Sequence, residues 1–128
     1  MIHLDSCALI KLVVPEPESI SLQRYLDQTS EPLSTSELAT VEIHRALLRV
    51  EAADESHGLA DQILERTLCI PVSAVVFAAS HLPGRHIRSL DAVHLASAQR
   101  VVASAFVTYD KKLASAATEV GLHVVAPS

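Results

Sequence analysis

The sequence is poor in whatever would divide it, staple it or carry it into a membrane. Its 128 residues include only three glycines (Gly58, Gly84, Gly121) and no Gly/Ser tract, low-complexity stretch or internal repeat. One continuous domain spanning residues 1–128 is therefore expected, at a length close to the commonest domain size. The two cysteines, Cys7 and Cys69, lie far apart and outside any CxxC or Cys/His cluster, which argues against a structural zinc site or a secreted disulfide scaffold and points to a reducing compartment. No apolar run long enough for a signal peptide or a membrane span precedes the first carboxylate, Asp5. The expectation is a soluble, cytoplasmic protein with no membrane partner.

Basic residues are also scarce, 10 Lys and Arg against 15 Asp and Glu for a formal charge of −5. Binding to a phosphate backbone normally draws on clustered Lys and Arg, so the balance speaks against a nonspecific nucleic-acid binder. A metal-dependent nuclease survives this test, because it must gather several carboxylates in one place. What the chain has in quantity is apolar: 49% of its residues are hydrophobic. That excludes intrinsic disorder, and a core of this size buries about 70% of the surface that the unfolded chain exposes.

The apolar residues change period along the chain. Met1 to Leu4 reads as a strand, and Ser6 to Val14 switches to helical spacing through Ala8, Leu9, Leu12 and Val13 until Pro15. A helix is predicted over 18–28, a short strand over 32–35, and a long helix capped by Ser36 and running to about Ala53. A helix over 55–66, a β-like stretch over 68–72 containing Pro71, and a strongly apolar helix over 73–81 follow. After Pro83-Gly84 come a helix over 89–102, a strand over 105–109, a helix over 111–120 ending at Gly121, and a last strand over 123–126. Strands separated by helices predict an α/β fold, a parallel sheet with helices on both faces.

In open sheets of this kind ligands bind beyond the carboxyl ends of the strands. Asp5 and Asp110 each directly follow a predicted strand. Either side chain suits the N-cap of the helix after it. Asp91 falls in the first turn of a helix that Ser89 can cap, where a carboxylate complements the helix dipole. Glu42 sits mid-helix between Val41 and Ile43, with Arg45 three residues on as an available surface partner. These four local explanations must all hold independently, whereas one site for a hard divalent cation, which prefers oxygen ligands, accounts for them together.

Four stretches carry a resemblance: Leu4-Asp5-Ser6-Cys7-Ala8-Leu9, Val41-Glu42-Ile43-His44-Arg45-Ala46-Leu47, Leu90-Asp91-Ala92-Val93-His94-Leu95-Ala96-Ser97-Ala98, and Thr108-Tyr109-Asp110-Lys111-Lys112-Leu113. In order and at this chain length they resemble the PIN-domain ribonucleases, and among those the VapC-type toxins of bacterial toxin–antitoxin pairs. The resemblance implies a three-layer α/β/α sandwich with a central parallel sheet. It implies that Asp5, Glu42, Asp91 and Asp110 hold Mg²⁺ or Mn²⁺, and that the chain is an endoribonuclease in which a metal-activated water hydrolyses RNA. It further implies a homodimer inhibited by a small VapB-type antitoxin whose C-terminal segment lies over the active-site groove.

One position departs from the family pattern. The second residue after the first aspartate, commonly Ser or Asn, is Cys7. A thiol is a weaker hydrogen-bond partner, which makes Ser6 the alternative support for Asp5. Thr108 and His94 are further candidates for supporting roles, each with a structural alternative: Thr suits a strand, and a helix-borne His among apolar residues usually finds a hydrogen-bond partner.

Two other functional classes share some of these features. A phosphoacceptor receiver domain also clusters aspartates at strand ends, but needs a Lys at the end of a core strand where this chain has Asp110. A PIN-like module without catalysis would not need all four acidic positions filled, and here they are. Without those four carboxylates the acidic excess nearly vanishes. Between Arg85 and Lys112 five basic residues (Arg85, Arg88, Arg100, Lys111, Lys112) face only Asp91 and Asp110, so phosphate contacts are expected along that segment, at Arg85, Arg88, Lys111 and Lys112. A mean hydropathy of +0.30 is high for a small monomer and fits a protein that buries apolar surface against a partner.

Overall fold

The computed structural model describes all 128 residues. Five strands, β1 (Ile2–Leu4), β2 (Leu33–Ser36), β3 (Leu68–Ile70), β4 (Ala105–Val107) and β5 (Val124–Val125), form one sheet in the order β3-β2-β1-β4-β5. Every pairing in it is parallel. The helices are α1 (Ser6–Lys11), α2 (Ser19–Asp27), α3 (Leu38–Arg49), α4 (Asp54–Glu65), α5 (Val76–Ser80), α6 (Ser89–Arg100) and α7 (Lys111–Glu119), with one 3₁₀ turn at Val72–Ala74.

Strand alternation builds the three layers. Ile2 and Leu4 of β1, with Ala105 and Val107 of β4, pack into one core with Leu9, Leu22, Ile43, Leu47 and Leu64 from α1 to α4. Phe106, one residue out of step, packs on the other face with Leu95 and Ala98 of α6 and Leu113, Ala116 and Ala117 of α7. Strands covered on both faces read as continuous apolar runs, as β4 does and as β1 does apart from His3. His3 shares the face of Phe106, stacked on it at 5.5 Å. Burial drives its pKa down to about 3, so the ring is neutral, with Nδ1 at 3.0 Å from Ser34 Oγ.

The chain works outward from β1 to β2 and β3, then returns to lay β4 and β5 on the opposite side. The reversal falls between β1 and β4, at the switch point where a doubly wound sheet opens its ligand crevice. Residues leaving these two neighbours are brought side by side by the pairing Leu4↔Val107.

Several expected boundaries shift. The first helix stops at Lys11 instead of continuing to Val14, since Pro15 and Pro17 follow and a residue before proline is pushed out of the helical region. The long helix ends at Arg49 and Glu51 turns the chain with φ 53°. Ser36 is the last residue of β2, and its hydroxyl accepts from Leu38 N at 3.2 Å with Glu37 intervening. Ser89 is the first residue of α6, so it does not cap it, and Arg88 precedes it. The helix expected over 73–81 breaks into the 3₁₀ turn and the short α5, whose Val76 and Phe77 face outward, Phe77 being 77% exposed. Only part of the apolar content there reaches the core, Val75 and Ala79 packing with Ile70 and Ala96.

Candidate active site

Asp5 leaves β1 and caps α1, with Oδ1 accepting from Ala8 N at 2.9 Å. Its neighbour across the sheet switch, Thr108, donates its hydroxyl to Asp5 Oδ2. The Cys7 thiol, the expected weak point, donates to the same carboxylate, with Sγ at 3.1 and 3.2 Å from its two oxygens. Ser6, expected as the substitute, makes no hydrogen bond to Asp5 and instead lines the adjoining cleft. The correction has a simple cause: in the first turn of α1 it is residue 7, not 6, that turns back over the cap. Asp5 is 3% exposed, and burial pushes its carboxyl upward while the bonds from Thr108, Ala8 and Cys7 favour the charged form. Burial, then the Asp5 charge, push the Cys7 thiol up to about 12. A thiol so held is a proton donor and not a nucleophile.

Asp110 caps α7, its Oδ1 accepting from Lys112 N at 2.9 Å and Leu113 N at 3.1 Å. Its own amide donates to Thr108 Oγ1 at 3.1 Å. The buried Thr108 hydroxyl thus ties both aspartates together, taking a proton contact from one residue and giving one to the other. Capping uses only Oδ1 of Asp110, so the local and the functional explanations of this residue are compatible.

Asp91 stands in the first turn of α6. Its carboxyl is held above the usual range first by partial burial and next by the Asp110 charge, with Glu42 adding in the same direction and His94 and Arg88 opposing. Glu42 of α3 does not pair with Arg45. Its Oε1 meets His94 Nε2 at 2.6 Å, joining α3 to α6. His94 is 3% exposed and its Nδ1 has no partner. A carboxylate only accepts, so the ring donates through Nε2 to Glu42.

Two clefts meet at Asp110. The first, of about 710 Å³, includes Ser6, Cys7, Glu42, Tyr109 and Asp110, with Lys11, Arg45 and Arg49 among its basic lining. The second, of about 550 Å³, holds Asp91 and Asp110 with His86, Arg88 and Lys112. Asp5 lines neither and lies beneath them. Of the basic residues expected to meet phosphate, Arg88 and Lys112 share the second cleft with the carboxylates. Arg85 lines a separate depression with Val76 and Leu82, and Lys111 lines none of these. Sequence reasoning missed Arg45 and Arg49. The signal was present, because residues 42, 45 and 49 follow the three- and four-residue steps that share one helix face. Lys11 is engaged elsewhere, bonded to Glu18 at 2.8 Å and lying over the Tyr109 ring at 4.8 Å.

No three His, Cys, Asp or Glu side chains stand close enough to enclose an ion. The arrangement is an open set of carboxylate oxygens in which partial burial first, and then the Asp110 and Glu42 charges, raise Asp91. Oxygen donors of one charge sign on an open cleft suit Mg²⁺ or Mn²⁺, which keep waters and share substrate phosphates, more than a cation that demands a closed cage.

An α/β/α sandwich with a parallel five-stranded sheet and acidic residues gathered at its switch point defines the class, and the chain belongs to the PIN domain family, whose description matches residues 2–119. Among its relatives are two from Mycobacterium tuberculosis, Ribonuclease VapC46, 42% identical over 99% of this chain and 98% of that protein, and Ribonuclease VapC35, 39% identical over 99% and 97%. The fold is shared with the crystal structure of Mycobacterium tuberculosis VapC20, described as a sarcin-ricin loop cleaving toxin, at TM-score 0.75 and 15% identity over 99% of this chain and all of that one. It is also shared with FitAB bound to a DNA fragment, at TM-score 0.70 and 19% identity over 99% and 95%.

Proposed function

We propose that this protein is a Mg²⁺- or Mn²⁺-dependent endoribonuclease and the toxin of a toxin–antitoxin pair. The observation that carries the reading is that Asp91 is raised, after burial, by the charges of Asp110 and Glu42, while the Thr108 hydroxyl ties Asp110 to the buried Asp5. Folding energy alone does not reward such a cluster, and the relatives that cover the whole chain are named ribonucleases.

Asp91 and Asp110 would hold the cation together with Asp5 and Glu42, directly or through water. When bound, the metal supplies a nucleophile from water near neutral pH and neutralises charge on the phosphoryl group. The chain's own residues do the rest. Arg88 and Lys112 on one side of Asp110, and Arg45 and Arg49 on the other, hold the phosphates flanking the scissile one, so RNA crosses the site from one cleft to the other. Thr108 and Cys7 fix the direction of the Asp5 carboxylate. His94 holds Glu42, which lines the first cleft, through Oε1 alone. With water as the nucleophile no side chain is needed in that role, and burial and the Asp5 charge favour the protonated thiol of Cys7.

The partners proposed are RNA as substrate, a second copy of the chain, and a VapB-type antitoxin that places an Arg or Lys among the carboxylates, competing with the metal. Its action is proposed to be cytoplasmic; no helix is long and apolar enough to cross a membrane. The test is cleavage of single-stranded RNA by the purified chain with Mg²⁺, with EDTA, and after Asp91→Asn, alongside growth arrest on induced expression. Cleavage and arrest that both require Mg²⁺ and Asp91 are expected; cleavage that ignores EDTA and the substitution overturns the reading.

A further inference from the structure

Away from both clefts, α3 and α4 carry a cluster that the nuclease reading does not use. His44 of α3 faces His57 and Asp61 of α4, which lie four residues apart on one face of that helix. The two imidazoles lie edge to edge in nearly one plane, with centroids 5.0 Å apart and planes 8° from parallel. Their Nδ1 atoms are 2.7 Å apart, and His44 Nε2 is 2.7 Å from Asp61 Oδ1.

A carboxylate only accepts, so His44 donates to Asp61 through Nε2, and the short Nδ1–Nδ1 contact needs one ring to donate and the other to accept. A single proton therefore sits between two imidazole nitrogens, one of them oriented by a carboxylate on the far side of its ring. Carboxylate, histidine and then metal is the usual order in which a ligating imidazole is held.

We propose that His44 Nδ1 and His57 Nδ1 form a second metal site, for a borderline transition cation such as Zn²⁺, with Asp61 orienting His44. Imidazole suits Zn²⁺, Ni²⁺ or Cu²⁺ and not Mg²⁺, so this site is chemically distinct from the carboxylate cleft. On binding, the proton between the two nitrogens passes to His57 Nε2 or to solvent, which frees both Nδ1 lone pairs. Two nitrogens each about 2.0–2.1 Å from a tetrahedral ion stand about 3.3 Å apart, so the rings part by about 0.6 Å, a small side-chain rotation. No further His, Cys, Asp or Glu completes the shell, and water fills it on this half-exposed face. The ion would clamp α4 to α3, the helix that carries Glu42.

The experiment is a Zn²⁺ titration of the full chain in excess Mg²⁺, followed by long-range ¹H–¹⁵N imidazole spectra. The Nδ1 signals of His44 and His57 are expected to shift while those of the buried His3 and His94 do not. His57→Gln is expected to weaken Zn²⁺ binding at least tenfold while keeping the unfolding midpoint measured in EDTA, and Asp61→Asn to weaken it about 10- to 100-fold. Asp91→Asn should leave this binding intact. Unshifted His44 and His57 signals at saturating Zn²⁺, or His57→Gln binding Zn²⁺ as wild type does, overturn the proposal.

Discussion

The floor of the site and its rim treat carboxylates in opposite ways. On the floor, Asp5 is almost wholly buried and both of its oxygens accept from the protein, from Ala8 N, Thr108 and Cys7. On the rim, Asp91 makes no hydrogen bond to a protein group and is raised in part by Asp110 and Glu42, while Asp110 uses only Oδ1, for its helix cap. One carboxylate is fixed in direction at the cost of burial; the others keep free oxygens at the cost of repulsion. The first arrangement sets an orientation, and the second leaves room for a cation.

Substitutions that erase a carboxylate should break this contrast most completely. Asp5→Asn and Asp91→Asn are each expected to lower RNA cleavage by more than about 100-fold, since even the outer partners of a metal ligand are worth about 10–100-fold; initial rates on a labelled RNA measure it. Thr108→Val removes the hydroxyl that Asp5 and Asp110 share. It is expected to lower cleavage by about 10- to 100-fold and stability by about 1–3 kcal/mol, because a buried carboxylate loses a donor. Denaturant titration gives the second number.

Stability should respond to loss of the Asp91 charge in the opposite sense from activity. The Asp91 carboxyl is raised in the folded chain, so the folded state holds its proton to higher pH than the unfolded state does. Its ionisation therefore subtracts stability, by an amount absent at pH below the ordinary carboxylate pKa of about 4 and fully developed once pH exceeds the raised folded value. Asp91→Asn should accordingly be more stable than wild type near neutral pH in metal-free buffer, with the gain disappearing as pH falls through that interval. Denaturant midpoints at several pH values test it. The smallest effect belongs to the thiol. Cys7→Ser keeps a donor beside Asp5 and should leave cleavage within a few-fold of wild type, whereas Cys7→Ala should cost about 0.5–1.5 kcal/mol of stability.

Much of the architecture was legible because periodicity and strand-end placement are local. The parallel sheet followed from short apolar runs between helices, and β1 and β4 were placed beside Asp5 and Asp110. The strongly apolar segment over 73–81 misled, because hydrophobicity does not say which side of a helix finds the core: Val75 and Ala79 do, while Val76 and Phe77 face outward. At the site, the acidic residue types and their positions could be read, while their partners could not. Glu42 bonding His94 across 52 residues of chain and Thr108 reaching Asp5 across 103 depend on which strands and helices adjoin. Cys7 looked like a weakness by residue type, and only the turn of α1 shows it pointing at the Asp5 carboxylate.

The claim that the rim carboxylates share a hard cation is tested most directly by Mn²⁺ binding, followed by electron paramagnetic resonance without RNA, in wild type and Asp91→Asn. Saturable binding to wild type that Mg²⁺ displaces, and that Asp91→Asn loses while His57→Gln retains it, is the predicted result. Equal Mn²⁺ affinity in wild type and Asp91→Asn would contradict it.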